Sequence, residues 1–287
     1  MKLKLFLIFA LVSSFSLFGD AIVSAKWLNQ HKNDENIRII FISNSLKNGL
    51  IPNSAITSIQ DWRKKVSKFF VLKNKTEIEP LIQKLGIDEK SHVVIYSDAK
   101  TPKSLLFSSY VYWALNFYGI TNISILDGGL KNWKKEKLEI VTKPHQYEKS
   151  NFKVKNNSSI LVNLDDVKKS IGKVAMVDAR PHRQFFGLES SNGVARLGHI
   201  KGAVSYPWIY SVDKNFKLID KNNLEDIFTN GFKFKKEQEI ITYCTGGLET
   251  SFNFFVLHGV LGYTNVKLYD SSMKEWGNLE DTPMEKY

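Results

Sequence analysis

The sequence contains a single cysteine among its 287 residues. One cysteine cannot form a disulfide within the chain, and it cannot supply the several thiolates of a multi-cysteine metal or iron–sulfur site. Acidic residues are also in the minority, because 40 lysines and arginines against 29 aspartates and glutamates give a net charge of +11. That excess permits binding to nucleic acid or to an anionic surface but does not require it. The apolar content of 43% excludes wholesale disorder, and the length indicates about two domains.

A charge-free, mostly apolar run from Leu5 to Phe18 follows two N-terminal lysines, and small residues then occur at Gly19 and Ala21. This order is typical of a secretory signal peptide, here residues 1–21, with cleavage after Gly19 or Ala21. At 14 residues the run is shorter than the ~20 that a membrane-spanning helix needs. The alternatives are an uncleaved anchor and a buried first helix. We expect an exported protein, periplasmic or otherwise outside the cytoplasm, with no stable membrane insertion after cleavage.

Short runs rich in β-branched residues recur along the rest of the chain, and each is mostly apolar without a regular apolar–polar alternation. Such runs are typical of strands buried on both faces. Helical patterns lie between them, for example at 104–118 and 250–261. Strands that alternate with helices predict an α/β fold in which helices flank parallel sheets. The predicted strands are residues 37–42, 93–96, 123–126, 174–177, 240–243 and 266–269.

Two halves of the chain share three features in the same order, which indicates a duplicated domain rather than a short-period solenoid. The matching features are 93–96 with 240–243, 119–123 with 262–266, and the spacing from Asp127 to Trp133 with that from Asp270 to Trp276.

The joint between the halves is expected in the polar segment 143–159, which lacks periodicity. The first domain then covers 22–142 and the second covers 160–287. Ser24 and Asn163 are the candidate N-caps of the first helix in each domain.

Cys244 directly follows the predicted strand 240–243 and precedes a glycine-rich loop and a helix. A loop of this kind turns backbone N–H groups inward and binds anions with help from the helix dipole, and the same field is expected to lower the pKa of the thiol. The alternative is a buried structural cysteine. The end of a parallel strand is where sites form, which favours a functional role. The predicted anion-binding loop after Cys244 is Thr245, Gly246, Gly247, Leu248 and Glu249.

The sequence resembles the tandem-domain rhodanese family of thiosulfate and 3-mercaptopyruvate sulfurtransferases over about residues 22–287. The motifs that carry the resemblance are 177–180, 198–203, 243–247, 261–263 and 269–276. The resemblance implies two rhodanese-like domains and transfer of a sulfane sulfur from a small anionic donor to a thiol, cyanide or protein acceptor. Cys244 would carry the sulfur as a persulfide, the loop N–H groups would hold its charge, and no metal or organic cofactor is required.

By the same resemblance the first half is the non-catalytic copy. Ser97 follows Tyr96 as Cys244 follows Tyr243, and no glycine occurs in the next residues, 98–102. A serine hydroxyl lacks thiolate character and cannot form a persulfide.

Four charged residues of the second half are candidates for binding the donor or supporting the loop. Asp178 and Arg180 end a predicted buried strand close to Cys244, and a purely structural ion pair is the alternative. Arg183 and Arg196 could attract an anionic donor, or could be solvated on the surface.

The loop departs from both familiar donor patterns of the family. Thiosulfate-specific members usually carry basic residues just after the cysteine, and mercaptopyruvate-specific members a hydroxyl residue two positions after it, where this chain has Gly246. Glu249 is unexpected, because a carboxylate facing Cys244 would raise the thiol pKa; we expect it to point outward or to pair with a base.

Other functions fit less well. A cysteine phosphatase needs an arginine six residues after the cysteine, where Thr250 stands, and a serine hydrolase at Ser97 lacks a nucleophile elbow. Scattered lysines and predicted export disfavour nucleic acid as a partner. A non-enzymatic persulfide carrier or binding scaffold remains the main alternative to an enzyme.

Overall fold

A computed structural model describes residues 20–287 of the chain. The predicted signal peptide, apart from Asp20 and Ala21, lies outside the described residues. Between residues 20 and 287, no helix combines the length and apolar character needed to cross a membrane.

The first domain is built from seven strands and four α-helices. The strands are β1 Ile22–Val23, β2 Ile37–Ile42, β3 Ser54–Thr57, β4 Arg63–Val66, β5 Phe69–Leu72, β6 His92–Tyr96 and β7 Ile123–Leu126. The helices are α1 Ala25–His31, α2 Lys75–Lys84, α3 Pro102–Phe117 and α4 Gly129–Lys135, with a 3₁₀ turn at Ile59–Asp61. Five strands form a parallel sheet in the order β1-β7-β6-β2-β3, while β4 and β5 form an antiparallel hairpin.

The second domain repeats this plan. Its strands are β8 Leu161–Val162, β9 Ala175–Asp178, β10 His199–Ile200, β11 Val204–Ser205, β12 Ile240–Tyr243, β13 Val266–Tyr269 and β14 Met284–Glu285. Its helices are α5 Leu164–Ser170, α6 His182–Phe185, α7 Lys221–Glu225, α8 Leu248–Phe254 and α9 Ser272–Trp276. There are 3₁₀ turns at Ser158–Ile160 and Trp208–Ser211, and π-helical turns at Asp226–Gly231 and Phe255–Val260 extend α7 and α8. The parallel sheet has the order β11-β9-β12-β13-β8, the same arrangement as in the first domain.

The predicted elements agree closely with the observed ones. Four predicted strands have the observed bounds, and the two at 93–96 and 174–177 differ by one residue because they are His92–Tyr96 and Ala175–Asp178. The Ser24 side chain caps α1 by accepting a hydrogen bond from the Trp27 N–H at 3.1 Å. Apolar runs and helix caps are local features, so they can be predicted without knowledge of the tertiary structure.

The two domains share a continuous hydrophobic core. Helices α3 and α8 pack against each other across the domain boundary, with the Ser109 and Ser251 hydroxyls 2.9 Å apart and the rings of Tyr112 and Phe255 5.1 Å apart. Because α3 also packs on its own sheet, nearly its whole circumference is buried and apolar. The fold therefore brings the carboxyl end of β12 against the first domain.

The segment 143–159 lacks helices and strands, apart from the first residues of a 3₁₀ turn. It is nonetheless packed on the first domain, because Phe152 and Val154 are buried and the Lys155 N–H donates to the Tyr118 carbonyl at 3.2 Å. These contacts hold the predicted linker against the first domain, although most of its residues are exposed.

Candidate active site

Cys244 lies at the carboxyl end of β12, near the centre of the second sheet. Its side chain is almost fully enclosed, with 1% of the residue exposed. Its backbone N–H donates to the Ser272 hydroxyl at 3.0 Å, and its sulfur accepts a hydrogen bond from the Gly247 N–H at 3.2 Å. The thiol is therefore held at the base of the loop and faces the N-terminus of α8.

Gly247 makes the turn that brings the loop N–H groups toward the sulfur. It adopts a left-handed backbone with φ of 88° as the N-cap of α8. A Cβ at this position would collide with the carboxylate and the carbonyl of Asp270. Only glycine meets both the backbone and the space requirement, so the predicted glycine loop has a clear structural reason.

The pKa of Cys244 differs from the expectation. Burial and, to a lesser extent, the negative charge of Glu249 raise the thiol pKa to about 12, although the N–H groups of Gly246, Gly247 and Thr250 act to lower it. Removal from water therefore outweighs the field of the loop and the helix. The expected lowering is wrong for the free protein, in which Cys244 is a thiol near neutral pH.

Glu249 lines the same cavity as Cys244. Burial and the charge of Asp178 raise the pKa of its carboxyl to about 7, while the Thr245 N–H and the charge of Arg180 lower it. The expectation that Glu249 points outward or pairs with a base is wrong. It is the second residue of α8 and lines the cavity that contains the Cys244 thiol.

Asp178 and Arg180 form a buried ion pair beside the loop. The Arg180 Nη2 lies 2.6 Å from the Asp178 Oδ2 and also donates to the Gly198 carbonyl at 2.8 Å. Register pairs Asp178 with Tyr243, the residue before Cys244. Their charges thus reach the site, but neither side chain lines the cavity. This arrangement supports the loop and leaves no free guanidinium for a donor.

Neither Arg183 nor Arg196 lines the cavity that contains Cys244, so a role for them in attracting the donor stays a prediction, with a surface role as the alternative. Arg183 pairs with Glu189 at 3.0 Å, and both side chains are exposed. Arg196 donates to the carbonyls of Trp276 and Thr282, each at 2.9 Å, and so ties down the C-terminal segment.

The cavity above Cys244 has a volume of about 620 Å³ and lies between the two domains. Its wall is largely apolar, and its cationic side chains are Arg63 and Lys103 from the first domain and Lys274 from the second. The residues that line it are Ile59, Gln60, Arg63, Phe70, Pro102, Lys103, Leu106, Phe107, Trp208, Cys244, Thr245, Gly246, Leu248, Glu249 and Lys274.

Sequence reasoning missed these three cations. Arg63 is 183 residues from Gly246, and no local pattern reports a contact between them. Lys274 lay inside the motif 269–276, and its position in the motif was the one available signal.

Arg63 connects the first domain to the active-site loop. Its Nη2 donates to the Gly246 carbonyl at 2.6 Å and lies 3.5 Å from the Asp270 Oδ1. Its guanidinium also stacks over the Tyr110 ring at 4.5 Å. Asp270 in turn accepts hydrogen bonds from the Leu72 N–H at 2.9 Å and the Tyr110 hydroxyl at 2.8 Å.

The first domain holds a counterpart of this site without its chemistry. The Leu130 N–H donates to the Ser97 carbonyl at 2.9 Å, as the Met273 N–H donates to the Cys244 carbonyl at 3.0 Å. Ser97 is buried, and its hydroxyl finds no hydrogen-bond partner within residues 20–287. The same described range contains no cluster of three or more His, Cys, Asp or Glu side chains suited to a metal ion.

A family model described as the rhodanese-like domain matches residues 24–136 and 163–279. The chain belongs to the rhodanese family. A putative thiosulfate sulfurtransferase of Haloferax volcanii is 32% identical over 219 residues, covering 74% of this chain and 75% of that protein. The sulfur carrier protein TtuD of Thermus thermophilus is 28% identical over 283 residues, covering 93% and 97%.

Among solved structures, the 3-mercaptopyruvate sulfotransferase SseA of Escherichia coli, described as having the rhodanese fold, superposes with a TM-score of 0.75. The identity is 24%, and the match covers 88% of this rhodanese and 99% of that chain, so it supports the fold. Together the comparisons place this two-domain rhodanese in the thiosulfate and 3-mercaptopyruvate sulfurtransferase family.

Proposed function

We propose that this rhodanese moves a sulfane sulfur from a small anionic donor, thiosulfate or 3-mercaptopyruvate, to a thiophilic acceptor through a persulfide on Cys244. The observation that carries the proposal is the place of the sulfur, 3.2 Å from the Gly247 N–H at the base of a cavity with three cationic side chains. Cations on a low-dielectric wall attract anionic donors.

Two half-reactions follow from this arrangement. The Cys244 sulfur attacks the transferable sulfur of the donor and a sulfur–sulfur bond forms. The bond from that sulfur to the rest of the donor breaks with its electron pair on the leaving group, which departs as sulfite from thiosulfate or, after taking up a proton on carbon, as pyruvate from 3-mercaptopyruvate. The N–H groups of the loop then stabilise the negative terminal sulfur as an oxyanion hole stabilises charge. A thiol, cyanide or protein acceptor attacks that terminal sulfur and releases Cys244, so the kinetics are ping-pong.

The test is intact mass spectrometry after incubation with each donor. The wild-type protein should gain one sulfur atom on Cys244, and addition of cyanide or a thiol should remove it. Cys244→Ser is the control and should gain none. A folded wild-type protein that takes no sulfur from either donor would contradict the proposal.

A persulfide carrier is the second candidate, supported by the similarity to the relative named as a sulfur carrier. A carrier would form the persulfide but release it only to a dedicated protein. Saturable turnover with cyanide or a small thiol identifies an enzyme, whereas a stable persulfide in their presence identifies a carrier.

Export is proposed from the signal-like residues 1–21, with cleavage after Gly19. The Ala21 carbonyl accepts a hydrogen bond from the Ile125 N–H at 2.9 Å, and the Asp20 carbonyl accepts one from the Ser124 hydroxyl at 2.5 Å. Cleavage after Ala21 would remove both contacts. N-terminal sequencing of the exported protein should begin at Asp20; recovery only in the cytoplasm, with the leader intact, would contradict export.

A further inference from the structure

Lys274 lies beside the catalytic loop because hydrogen bonds hold the start of α9 against that loop. The Lys274 N–H donates to the Thr245 carbonyl at 2.9 Å, and the preceding Met273 N–H donates to the Cys244 carbonyl at 3.0 Å. The lysine backbone is therefore fixed opposite the residue that follows Cys244. Its side chain lines the same cavity as the thiol.

The stem of the Lys274 side chain crosses Gly246. A Cβ built at Gly246 would lie 3.3 Å from the Lys274 Cδ, and a Cβ built at Gly193 would lie 3.5 Å from its Cε. Gly246, unlike Gly247, has no positive φ, so its backbone does not require glycine. The lack of a side chain at Gly246 instead leaves room for the lysine stem. The methylene groups thus pack on the loop, while Lys274 as a whole stays half-buried at the cavity wall.

Lys274 differs from the other two cations of the cavity wall, Arg63 and Lys103. The Arg63 guanidinium lies 3.5 Å from the Asp270 carboxylate, so its charge is already matched. Lys103 is exposed, where solvent and salt screen its charge. Lys274 is half-buried and takes part in no salt bridge among the described residues. An ammonium in this position attracts an anion more strongly than an exposed one does, because the surroundings are less polarisable than water.

Two carboxylates close to Lys274 in the chain or in the cavity do not pair with it. Glu275, the next residue, accepts hydrogen bonds from the hydroxyls of Tyr269 and Ser271, each at 2.7 Å. Glu249 lines the same cavity but forms no salt bridge with any cation in the described part of the chain. The Lys274 charge is therefore available to a ligand that enters the cavity.

We propose that the Lys274 ammonium binds the anionic group of the sulfur donor and directs the transferable sulfur toward Cys244. The inference rests on the proposed function and adds the residue that recognises the charge of the donor. The bound group is the sulfonate end of thiosulfate or the carboxylate of 3-mercaptopyruvate. In both donors the charge lies within a few bonds of the reactive sulfur. The loop after Cys244 contains no basic residue, and Lys274 supplies that charge from α9.

Lys274→Met is the variant that tests this contact, because methionine keeps an unbranched stem over Gly246 and removes the charge. Lys135→Met removes one exposed charge that does not line the cavity and is the matched control. Steady-state rates are measured with each donor and with dithiothreitol, a neutral acceptor. Because the proposed mechanism is ping-pong, kcat/KM for the donor reports persulfide formation and kcat/KM for dithiothreitol reports persulfide removal.

Lys274→Met should lower kcat/KM about ten- to a hundredfold for both donors, mainly through a higher KM, because a charge-assisted contact is lost. Its kcat/KM for dithiothreitol should match wild type, as should every rate of Lys135→Met. Single-turnover persulfide formation by wild type should slow as salt is added, and Lys274→Met should lose most of this dependence. Lys274→Arg keeps a cation and should recover at least part of the donor kcat/KM.

Three results would overturn the assignment of Lys274. The first is an unchanged donor kcat/KM in Lys274→Met. The second is an equal fall for the donors and for dithiothreitol, which would indicate a general disturbance of the loop. The third is an equal fall in Lys103→Met, which would indicate a diffuse field of the cavity wall. Failure of wild type to take sulfur from either donor would instead contradict the proposed function.

Discussion

The Arg63 guanidinium of the first domain donates a hydrogen bond to the carbonyl of Gly246 in the second, with a distance of 2.6 Å. The non-catalytic domain therefore holds the active-site loop directly, and it also supplies about half of the cavity wall. The first domain has Ser97 where the second has Cys244, but it still contributes to the active site because its Arg63 holds the loop across the domain boundary.

Replacement of Arg63 by alanine should damage both stability and sulfur transfer. Asp270 would lose its buried cationic partner, and breaking such a pair typically costs about 3–5 kcal/mol of unfolding free energy. The control is Lys64→Ala, since Lys64 pairs with Glu77 at 2.8 Å on the surface, and such an exposed pair contributes little to stability. Denaturant unfolding and the rate of persulfide formation measure the two effects. Equal behaviour of the two variants would show that Arg63 has no special role.

Gly247→Ala should abolish sulfur transfer, because the added Cβ collides with the Asp270 backbone and carboxylate and displaces the loop. Gly262→Ala is the matched control. Gly262 also has a positive φ, of 71°, but a Cβ there meets no atom within 4 Å. It should cost only about 1 kcal/mol of stability and leave the rate intact. The observation that would count against this account is normal persulfide formation in Gly247→Ala.

Arg180→Ala and Arg183→Ala should differ in their effect on the unfolding free energy, because Arg180 is buried and Arg183 is exposed. Removing Arg180 leaves the buried Asp178 carboxylate unpaired and should lower the unfolding free energy by about 3–5 kcal/mol. Removing Arg183 should change it by less than about 1 kcal/mol and leave the donor KM unchanged, since its pair with Glu189 is solvated. A raised KM for thiosulfate or 3-mercaptopyruvate in Arg183→Ala would restore the donor-binding role that the structure argues against.

Ser97→Cys in a Cys244→Ser background should give a protein that takes up no sulfur. The new thiol would occupy a buried position that does not line the cavity, and no glycine follows within residues 98–102 to turn N–H groups toward it. Intact mass after incubation with either donor is the measurement, with Cys244→Ser alone as the reference. A persulfide on residue 97 would mean that a cysteine suffices without the loop.

Alkylation of Cys244 by iodoacetamide should be slow at neutral pH and continue to rise through the alkaline range. The rate should rise with pH because the thiol pKa is raised, and the reactive thiolate is scarce at any pH below that pKa. Glu249→Gln should alkylate faster than wild type at neutral pH, since a negative charge beside the thiolate is removed. A wild-type rate that levels off near neutral pH would show that the N–H groups of the loop lower the thiol pKa by more than burial raises it.

Local sequence determined most of the fold. Parallel strands buried on both faces are mostly apolar runs, so the bounds of β2, β7, β12 and β13 could be predicted from the sequence. The cap at Ser24 could be predicted for the same reason. The duplication could also be predicted, because each feature that the two halves share is a short local pattern. Strands β1, β8 and β11 were not predicted, since two residues carry too little pattern. Strand β3 was not predicted because its sequence, Ser-Ala-Ile-Thr, is polar at both ends and not an apolar run.

The position of Cys244 was also readable, because the thiol and its glycine loop are contiguous in the chain. Only the tertiary structure decided how that thiol behaves. Its pKa depends on how completely the surrounding chain removes water and on the charge of Glu249, which lines the same cavity. Arg63 reaches the loop from a distant hairpin, whereas Arg183 is taken up by a surface pair. Such contacts depend on which segments meet after folding, and neither composition nor periodicity encodes that.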